Sequence, residues 1–303
     1  MSKRAVLIAG PTASGKSSLA LIEADRVKRA GLRPIIVNAD SMQVYRELRI
    51  ISARPNEEDE ARVPHVLYGV VPSCEVFNTG RWLDEMARLL GDLGEDELPI
   101  IVGGTGLYFK ALLEGFARIP DIPDEVRERL RAEFVEEGAE EMHRRLKALD
   151  GHMADELKPN DGQRILRALE VVEVTGKSIF YWQQQAQSSP LLQSEDCRKI
   201  IALPERDVLY ERINARFDAM VSEGALDEVA ALAKLKLDWD LPAMKAIGVP
   251  QFMGHLEGTM ALEDAILDAK QESRRYAKRQ MTWLRNQMGE DWKRVDGINI
   301  SIP

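Results

Sequence analysis

The sequence predicts an α/β protein, a parallel sheet core interrupted by an all-helical insertion. Three observations carry this. Short continuous apolar runs alternate with segments of helical spacing, first up to about residue 118 and again after about 198. A glycine-rich loop joins the first apolar run to the first helix. Between about 119 and 197 strand character disappears, and the chain turns helical and heavily charged.

The elements follow in order. Residues 5–9 are uniformly apolar, which predicts a strand covered on both faces. The run stops at Gly10-Pro11, too soon for the core of a signal peptide, so it reads as a mature first strand. Leu19, Ile22, Ala24 and Val27 recur at helical spacing over 16–30, with Gly31 as the stop. Residues 34–37 predict a second strand ending at Asn38-Ala39-Asp40, and 66–71 a third. A helix is expected over Trp82–Leu93, a buried strand over 99–102, and a helix from Leu107. Ile119-Pro-Asp-Ile-Pro123 reads as a linker, 124 to about 185 as helical, and 186–198 as a second linker. A strand returns at 200–203, followed by helices over 207–223, 225–235 and 261–287. The expected organisation is therefore 1–118 as the first part of the core, 119–197 as a helical insertion, and 198–303 as the second part of the core.

Composition narrows the function. The 303 residues are 45% hydrophobic and 30% charged, enough apolar material for a folded core. A net charge of −9 argues against a uniformly basic nucleic-acid coat, although a local basic patch can hide in such a balance. Cys74 and Cys197 are too few for a disulfide framework or a cysteine zinc site, and they suit a reducing cytoplasm. No apolar run approaches the ~20 residues of a membrane helix. The four histidines show no metal-ligand spacing.

Gly10-Pro11-Thr12-Ala13-Ser14-Gly15-Lys16-Ser17 fits the phosphate-loop pattern G-x-x-x-x-G-K-[ST], between a predicted strand and a predicted helix. Glycines let successive N–H groups converge on one anion, and the helix N-terminus adds a positive dipole. Lys16 supplies a mobile charge, and Ser17 can ligate Mg²⁺. The motif points to a di- or triphosphate, and leaves open whether it is a nucleotide tail or a leaving group. Two more loops fall at the same carboxyl edge of the predicted sheet, 38–45 and 103–108. Asp40 in the former is a general base, a Mg²⁺ partner or a helix N-cap. Gly103-Gly-Thr105-Gly106 is either a place of close ligand approach or a tight turn.

Taken together, GPTASGKS at 10–17, NADSMQVY at 38–45 and GGTGLYFKALLEG at 103–115 resemble the tRNA dimethylallyltransferase (tRNA isopentenyltransferase) family. The resemblance continues through PNDGQRILRALEV at 159–171, R-I-x-x-R-F-x-x-M at 212–220, LPAMKAIGVPQ at 241–251 and AKRQMTWLRN at 277–286. It implies a P-loop NTPase-like, kinase-like core with an insertion that grips the tRNA anticodon stem. It also implies transfer of a dimethylallyl group from dimethylallyl diphosphate to N6 of the adenosine 3′ to the anticodon, in tRNAs reading codons that begin with U. Mg²⁺ assistance, a cytoplasmic location and a monomer are expected.

By the same resemblance Asp40 is the general base, with Thr105, Lys16 and Arg216 around the reacting centre and residues 10–17 on the diphosphate. Ser41, Met42 and Gln43 match the segment touching the target base. Arg127 and the stretch Gln163, Arg164, Ile165, Leu166 and Arg167 match RNA-contact regions of the insertion. Lys245, Lys278, Arg279, Gln280, Trp283 and Arg285 match further tRNA contacts. Residues 270–285 hold six cations against the single acid Glu272, with Tyr276 and Trp283 interleaved for stacking. Relatives often carry arginine, or a tyrosine after the glycine, within 245–250; Lys245, Val249 and Pro250 depart from this, and lysine lacks the bidentate fork. The rival readings are a prenyltransferase of free adenine nucleotides, a small-molecule P-loop kinase, and a non-catalytic RNA-binding module.

Overall fold

Five consecutive apolar residues form β1 (Ala5–Ala9), none more than 3% exposed. The computed structural model describes residues 4–117, 119–185 and 189–296; the expected boundary at 118 and residues 186–188 of the second linker lie outside these. In it β1 joins β2 (Arg33–Asn38), β3 (His65–Val66), β4 (Glu97–Gly103), β5 (Cys197–Ala202) and β6 (Lys293–Val295). The six strands make one parallel sheet in the order β3-β2-β4-β1-β5-β6. β1 lies at its centre, with Val6 opposite Ile100 of β4 and Ile8 opposite Ile200 of β5.

The pleat sorts the core into two layers. Leu7, Val37, Ile101 and Ile201 point into one apolar cluster, whereas Ile8, Ile36, Ile100 and Ile200 point into another. The second layer is covered by α1 (Lys16–Arg29), which buries Leu19, Ala20, Ala24 and Val27. Ile22, expected on that face, is 44% exposed, because a residue two before Ala24 turns away from it. On the first layer lie α3 (Thr79–Asp92) and α4 (Gly106–Glu114). Trp82 and Met86 of α3 are fully buried there. Truncating such an aromatic would cost about 3–5 kcal/mol. The helix α3 begins three residues before the expected Trp82, since the Asn78 side chain caps it by accepting from Arg81 N at 3.0 Å.

β3 is shorter than the 66–71 expected. Leu67 and Gly69 both take positive φ, which carries the chain out of the sheet, and only Val71 returns to bridge Tyr45. Before it lies α2 (Glu57–Arg62), not expected from the sequence, capped by Asn56 through Asp59 N at 2.8 Å.

The chain divides into two compact units: Met1–Leu113 with Leu192–Pro303, and Glu114–Leu191. The second unit differs from the expected 119–197 at both ends. Leu192 N–H donates to Leu112 O at 3.3 Å, and Leu192 and Cys197 are buried in the sheet unit's core. Within Glu114–Leu191 the elements are α5 (Asp124–Leu149, kinked at Gly138), α6 (Gly151–Glu156), α7 (Gly162–Thr175) and α8 (Ile179–Gln185). They enclose their own core of Leu130, Met142, Leu146, Ile165 and Leu169. Arg129 and Arg145 each pair with both Glu133 and Glu173, tying α5 to α7.

The sheet unit is completed by α9 (Arg206–Ser222), α10 (Ala225–Ala233), α11 (Val249–Leu256) and α12 (Leu262–Gln287). β6, unexpected because Lys-Arg-Val carries no apolar run, is an edge strand on β5. Among the described residues no helix is long and apolar enough to cross a membrane.

Candidate active site

Because the strands are parallel, the loops after β1, β2 and β4 emerge at one edge of the sheet. Residues 10–15 make the first. Ala13 and Gly15 adopt positive φ (59° and 84°), curling the backbone ahead of Lys16 at the start of α1. Lys16 is only 7% exposed, and its Nζ donates to Pro11 O at 3.3 Å. Burial pushes its pKa down from 10.5 to about 8, against the pull of Asp40 and with the push of Arg216. The Ser14 hydroxyl is fully buried and has no hydrogen-bond partner among the described residues, which leaves it open to an anion oxygen.

The second loop is shaped by Asn38. Its amide donates to Asp40 O and Leu67 O, both at 3.0 Å, while its Oδ1 accepts from Asp40 N at 2.8 Å. Trp82 Nε1 donates to Asn38 O at 2.8 Å and anchors the turn to α3. Asp40 Oδ1 accepts from Met42 N at 3.0 Å. The following residues form turns and no helix, so the helix N-cap role is ruled out for Asp40.

The third loop presses against the second. A Cβ on Gly103 would sit 1.9 Å from Ala39 O, so only glycine fits. Thr105 N–H donates to Ala39 O at 3.2 Å, and Thr105 Oγ1 accepts from Ser41 N at 3.0 Å. The hydroxyl hydrogen of Thr105 can therefore point elsewhere.

Gln280 of α12 staples the first and third loops. Its Oε1 accepts from Thr12 N at 2.9 Å, and its Nε2 donates to Gly104 O at 2.9 Å. Gln280 is 6% exposed, which corrects its expected place as an RNA contact: its amide is spent on the protein's own loops. Arg216 of α9 reaches Thr12 Oγ1 at 3.2 Å. Burial lowers the Arg216 pKa and Asp40 opposes this. The Tyr108 and Tyr276 phenols are held up, first by burial and then by the Asp40 charge.

Thr12, Asp40, Arg216 and Tyr276 border a cavity of about 340 Å³, whereas Lys16, Thr105 and Gln280 are not among its lining residues. Of the residues expected from the sequence, it brings together Thr12, Asp40, Ser41, Met42, Arg216, Lys245 and Arg279. Its apolar wall, made by Ile51, Ile213, Phe217 and Met220, was not anticipated, and neither was Tyr276 as a lining residue. Lys245 pairs with Asp240 at 3.0 Å, while Val249 is buried at the start of α11. Gln43 does not line the cavity: it is buried, and its Nε2 donates to Ser52 O and Ala53 O.

The basic helix is partly neutralised. Lys270 pairs with Asp218, Arg275 with Glu272, and Arg274 donates to Asn214. Lys278, Arg279 and Arg285 are exposed. Trp283 packs over Gly106, where a Cβ would come 2.0 Å from the indole. In the helical unit Gln163 and Arg164 are exposed, and Arg164, Arg167 and Arg127 pair with Asp161, Glu170 and Asp124. Ile165 is fully buried and Leu166 packs against the same core, so these two side chains hold α7 in place and do not face an RNA.

A strand–glycine loop–helix unit at the edge of a parallel sheet, with Thr12 of that loop and the Asp40 carboxylate lining one cavity, defines a P-loop-like α/β protein. Residues 43–287 match the family IPP transferase. Over 292 residues the chain is 53% identical to the tRNA dimethylallyltransferase of Agrobacterium fabrum, covering 96% of each. It is 49% identical over 286 residues to that of Bartonella henselae, covering 94% of this chain and 96% of the relative. The crystal structure of the tRNA isopentenylpyrophosphate transferase from Bacillus halodurans superposes with a TM-score of 0.68 at 34% identity, covering 99% and 92%. A eukaryotic dimethylallyltransferase acting on tRNA gives 0.81 at 25% identity, covering 99% of this chain and 75% of its own. The chain belongs to the IPP transferase family.

Proposed function

We propose that this protein transfers the dimethylallyl group of dimethylallyl diphosphate to N6 of the adenosine 3′-adjacent to the anticodon, in tRNAs reading codons that begin with U. The observation that carries the reading is one cavity lined by Thr12 of the phosphate loop, by Asp40, and by the apolar side chains of Ile51, Ile213, Phe217 and Met220. The diphosphate sits in the loop of residues 10–17 at the N-terminus of α1, with Lys16, Ser14 and Arg216 as donors. The C1–O bond to diphosphate breaks as the bond from N6 to C1 forms. The proton lost from N6 passes to Asp40, and diphosphate leaves onto the preorganised cations. Adenine lies inside an RNA loop, so it must be extruded to reach Asp40.

Mg²⁺ fits this site through the diphosphate. Among the described residues no group of three or more His, Cys, Asp or Glu could hold a metal, whereas the Ser17 hydroxyl is exposed in the first turn of α1. When bound, Mg²⁺ would neutralise charge on the leaving diphosphate. The exposed Lys278, Arg279 and Arg285 of α12, with Arg127, Gln163, Arg164 and Arg167 of the helical unit, contact the anticodon stem-loop. The protein acts as a cytoplasmic monomer; Cys74 and Cys197 are not joined in a disulfide, which suits a reducing compartment.

The test incubates the protein with labelled dimethylallyl diphosphate, Mg²⁺ and an anticodon stem-loop carrying adenosine or guanosine at the target position, with AMP as competitor. Label on the adenosine loop alone is expected. Label on AMP instead would move the reading to free nucleotides, and no label on any acceptor would sink it.

A further inference from the structure

Residues 49–53 have no regular secondary structure, yet Ile51, Ser52 and Ala53 form one wall of the cavity. A turn of that kind needs something to hold it. Glu228, near the start of α10, supplies it on one side. Its Oε2 accepts from Arg49 N at 2.9 Å and Ile50 N at 2.7 Å, and its Oε1 accepts from Ile51 N at 2.9 Å. Gln43 holds the other side through the carbonyls of Ser52 and Ala53, at 3.0 and 2.8 Å. Two side chains thus fix five backbone groups of one loop. Hydrogen bonds to an ionised acceptor are about twice as strong as neutral ones, so the glutamate is the stronger of the two clamps. It is itself well founded, because Ala225 and Val229 anchor α10 at 0% exposure. Ile51 also packs closely against Gly248, where a Cβ would come 2.5 Å from its Cδ1.

We infer that Glu228 is a specificity-determining positioning residue: by gathering the amides of Arg49, Ile50 and Ile51, it sets the cavity wall at Ile51 and so limits the length of the prenyl group accepted. This rests on the prenyl-transfer reading above. On this inference the prenyl chain runs from the phosphate loop along the apolar lining of Ile51, Ile213, Phe217 and Met220, and Ile51 is the side chain that a ten-carbon group meets. Glu228 touches neither donor nor acceptor; it acts through the loop.

The experiment compares kcat/KM for dimethylallyl diphosphate and geranyl diphosphate in the wild-type protein and in Glu228→Gln, Glu228→Asp and Ile51→Ala, with thermal melts alongside. Glu228→Gln replaces one acceptor oxygen by an NH₂ that faces an N–H. It is expected to raise the ten-carbon to five-carbon ratio about tenfold, a usual scale for discrimination by apolar pocket size. Glu228→Asp, which keeps both acceptor oxygens, should stay nearer the wild type. Ile51→Ala, which opens the wall and leaves the clamp intact, should move the ratio the same way. A structural loss alone would lower the melting temperature and both rates without moving the ratio. A ratio moved by Ile51→Ala but not by Glu228→Gln would overturn the clamp, and a ratio moved by neither would remove the prenyl chain from this wall. Wild-type protein that transfers neither group would instead defeat the underlying reading.

Discussion

Lys16 lies in the phosphate loop as a buried cation, and that has a measurable cost. Its pKa is pushed down from 10.5 to about 8 by burial. At 1.36 kcal/mol per pH unit, the fold loses about 3 kcal/mol of stability at neutral pH by holding this ammonium. The unfolded chain binds the proton more tightly than the fold does. The cost is therefore full below pH 8 and fades as pH rises from about 8 to about 10.5. Lys16→Met keeps most of the side-chain length and removes the charge. It also loses the 3.3 Å bond to Pro11 O, worth about 1 kcal/mol. The variant should therefore gain about 2 kcal/mol, a rise of about 4–8 °C in melting temperature at pH 7. Added inorganic diphosphate should reverse the order. At 100 times its dissociation constant it would stabilise the wild type by about 2.7 kcal/mol and leave the variant unmoved. The assay is thermal unfolding of both proteins at pH 7 and pH 10.5, with and without diphosphate. A variant less stable than wild type at pH 7, a gap that does not narrow at high pH, or equal stabilisation by diphosphate would refute the reasoning.

Asp40→Asn retains the acceptor for Met42 N and should slow transfer about 10²–10⁴-fold in single-turnover assays, with donor and RNA dissociation constants unchanged; an equal loss of RNA affinity would remove Asp40 from the base role. Gly103→Ala drives a Cβ to within 1.9 Å of Ala39 O and should cost about 1–3 kcal/mol with loss of transfer, whereas Gly91→Ala in α3, with nothing within 4 Å, should be neutral or stabilising in the same denaturation series. Replacing both Lys278 and Arg279 with alanine should flatten the salt dependence of anticodon-loop binding by about 1.4 in log–log slope; an unchanged slope would mean that these exposed cations do not meet phosphates.

What the sequence made legible was what is local. The phosphate loop, the strand ends at Asp40 and Gly103, and the buried strands are each written in consecutive residues. What it hid is mostly side chains serving distant backbone. Gln280 reads as part of a basic RNA-facing run, yet it bonds residues 268 and 176 positions away. Gln43 sits beside Asp40 in sequence and reads as a base contact, but its amide faces the loop at 52–53. Glu228 looks like one more acid on a surface helix, and no spacing rule links it to amides some 178 residues earlier. The positive φ at Leu67, which truncates β3, is equally silent, since leucine carries no turn signal. The pairing of Lys270 and Arg275 shows the limit of counting charges: half of the apparent patch answers acids and amides of its own protein.

The placement of β1 sets a problem of timing. Its partner β4 begins some 90 residues later, and its other partner β5 only after roughly 190 residues and the whole helical unit. At ~5–20 residues per second, a ribosome leaves one edge of Ala-Val-Leu-Ile-Ala unpaired for on the order of 10–40 s. During that interval the most apolar strand of the protein is a template for any other edge it meets. Nascent chains should therefore depend on chaperone cover until β5 has emerged, and refolding from denaturant should be slow and concentration-sensitive.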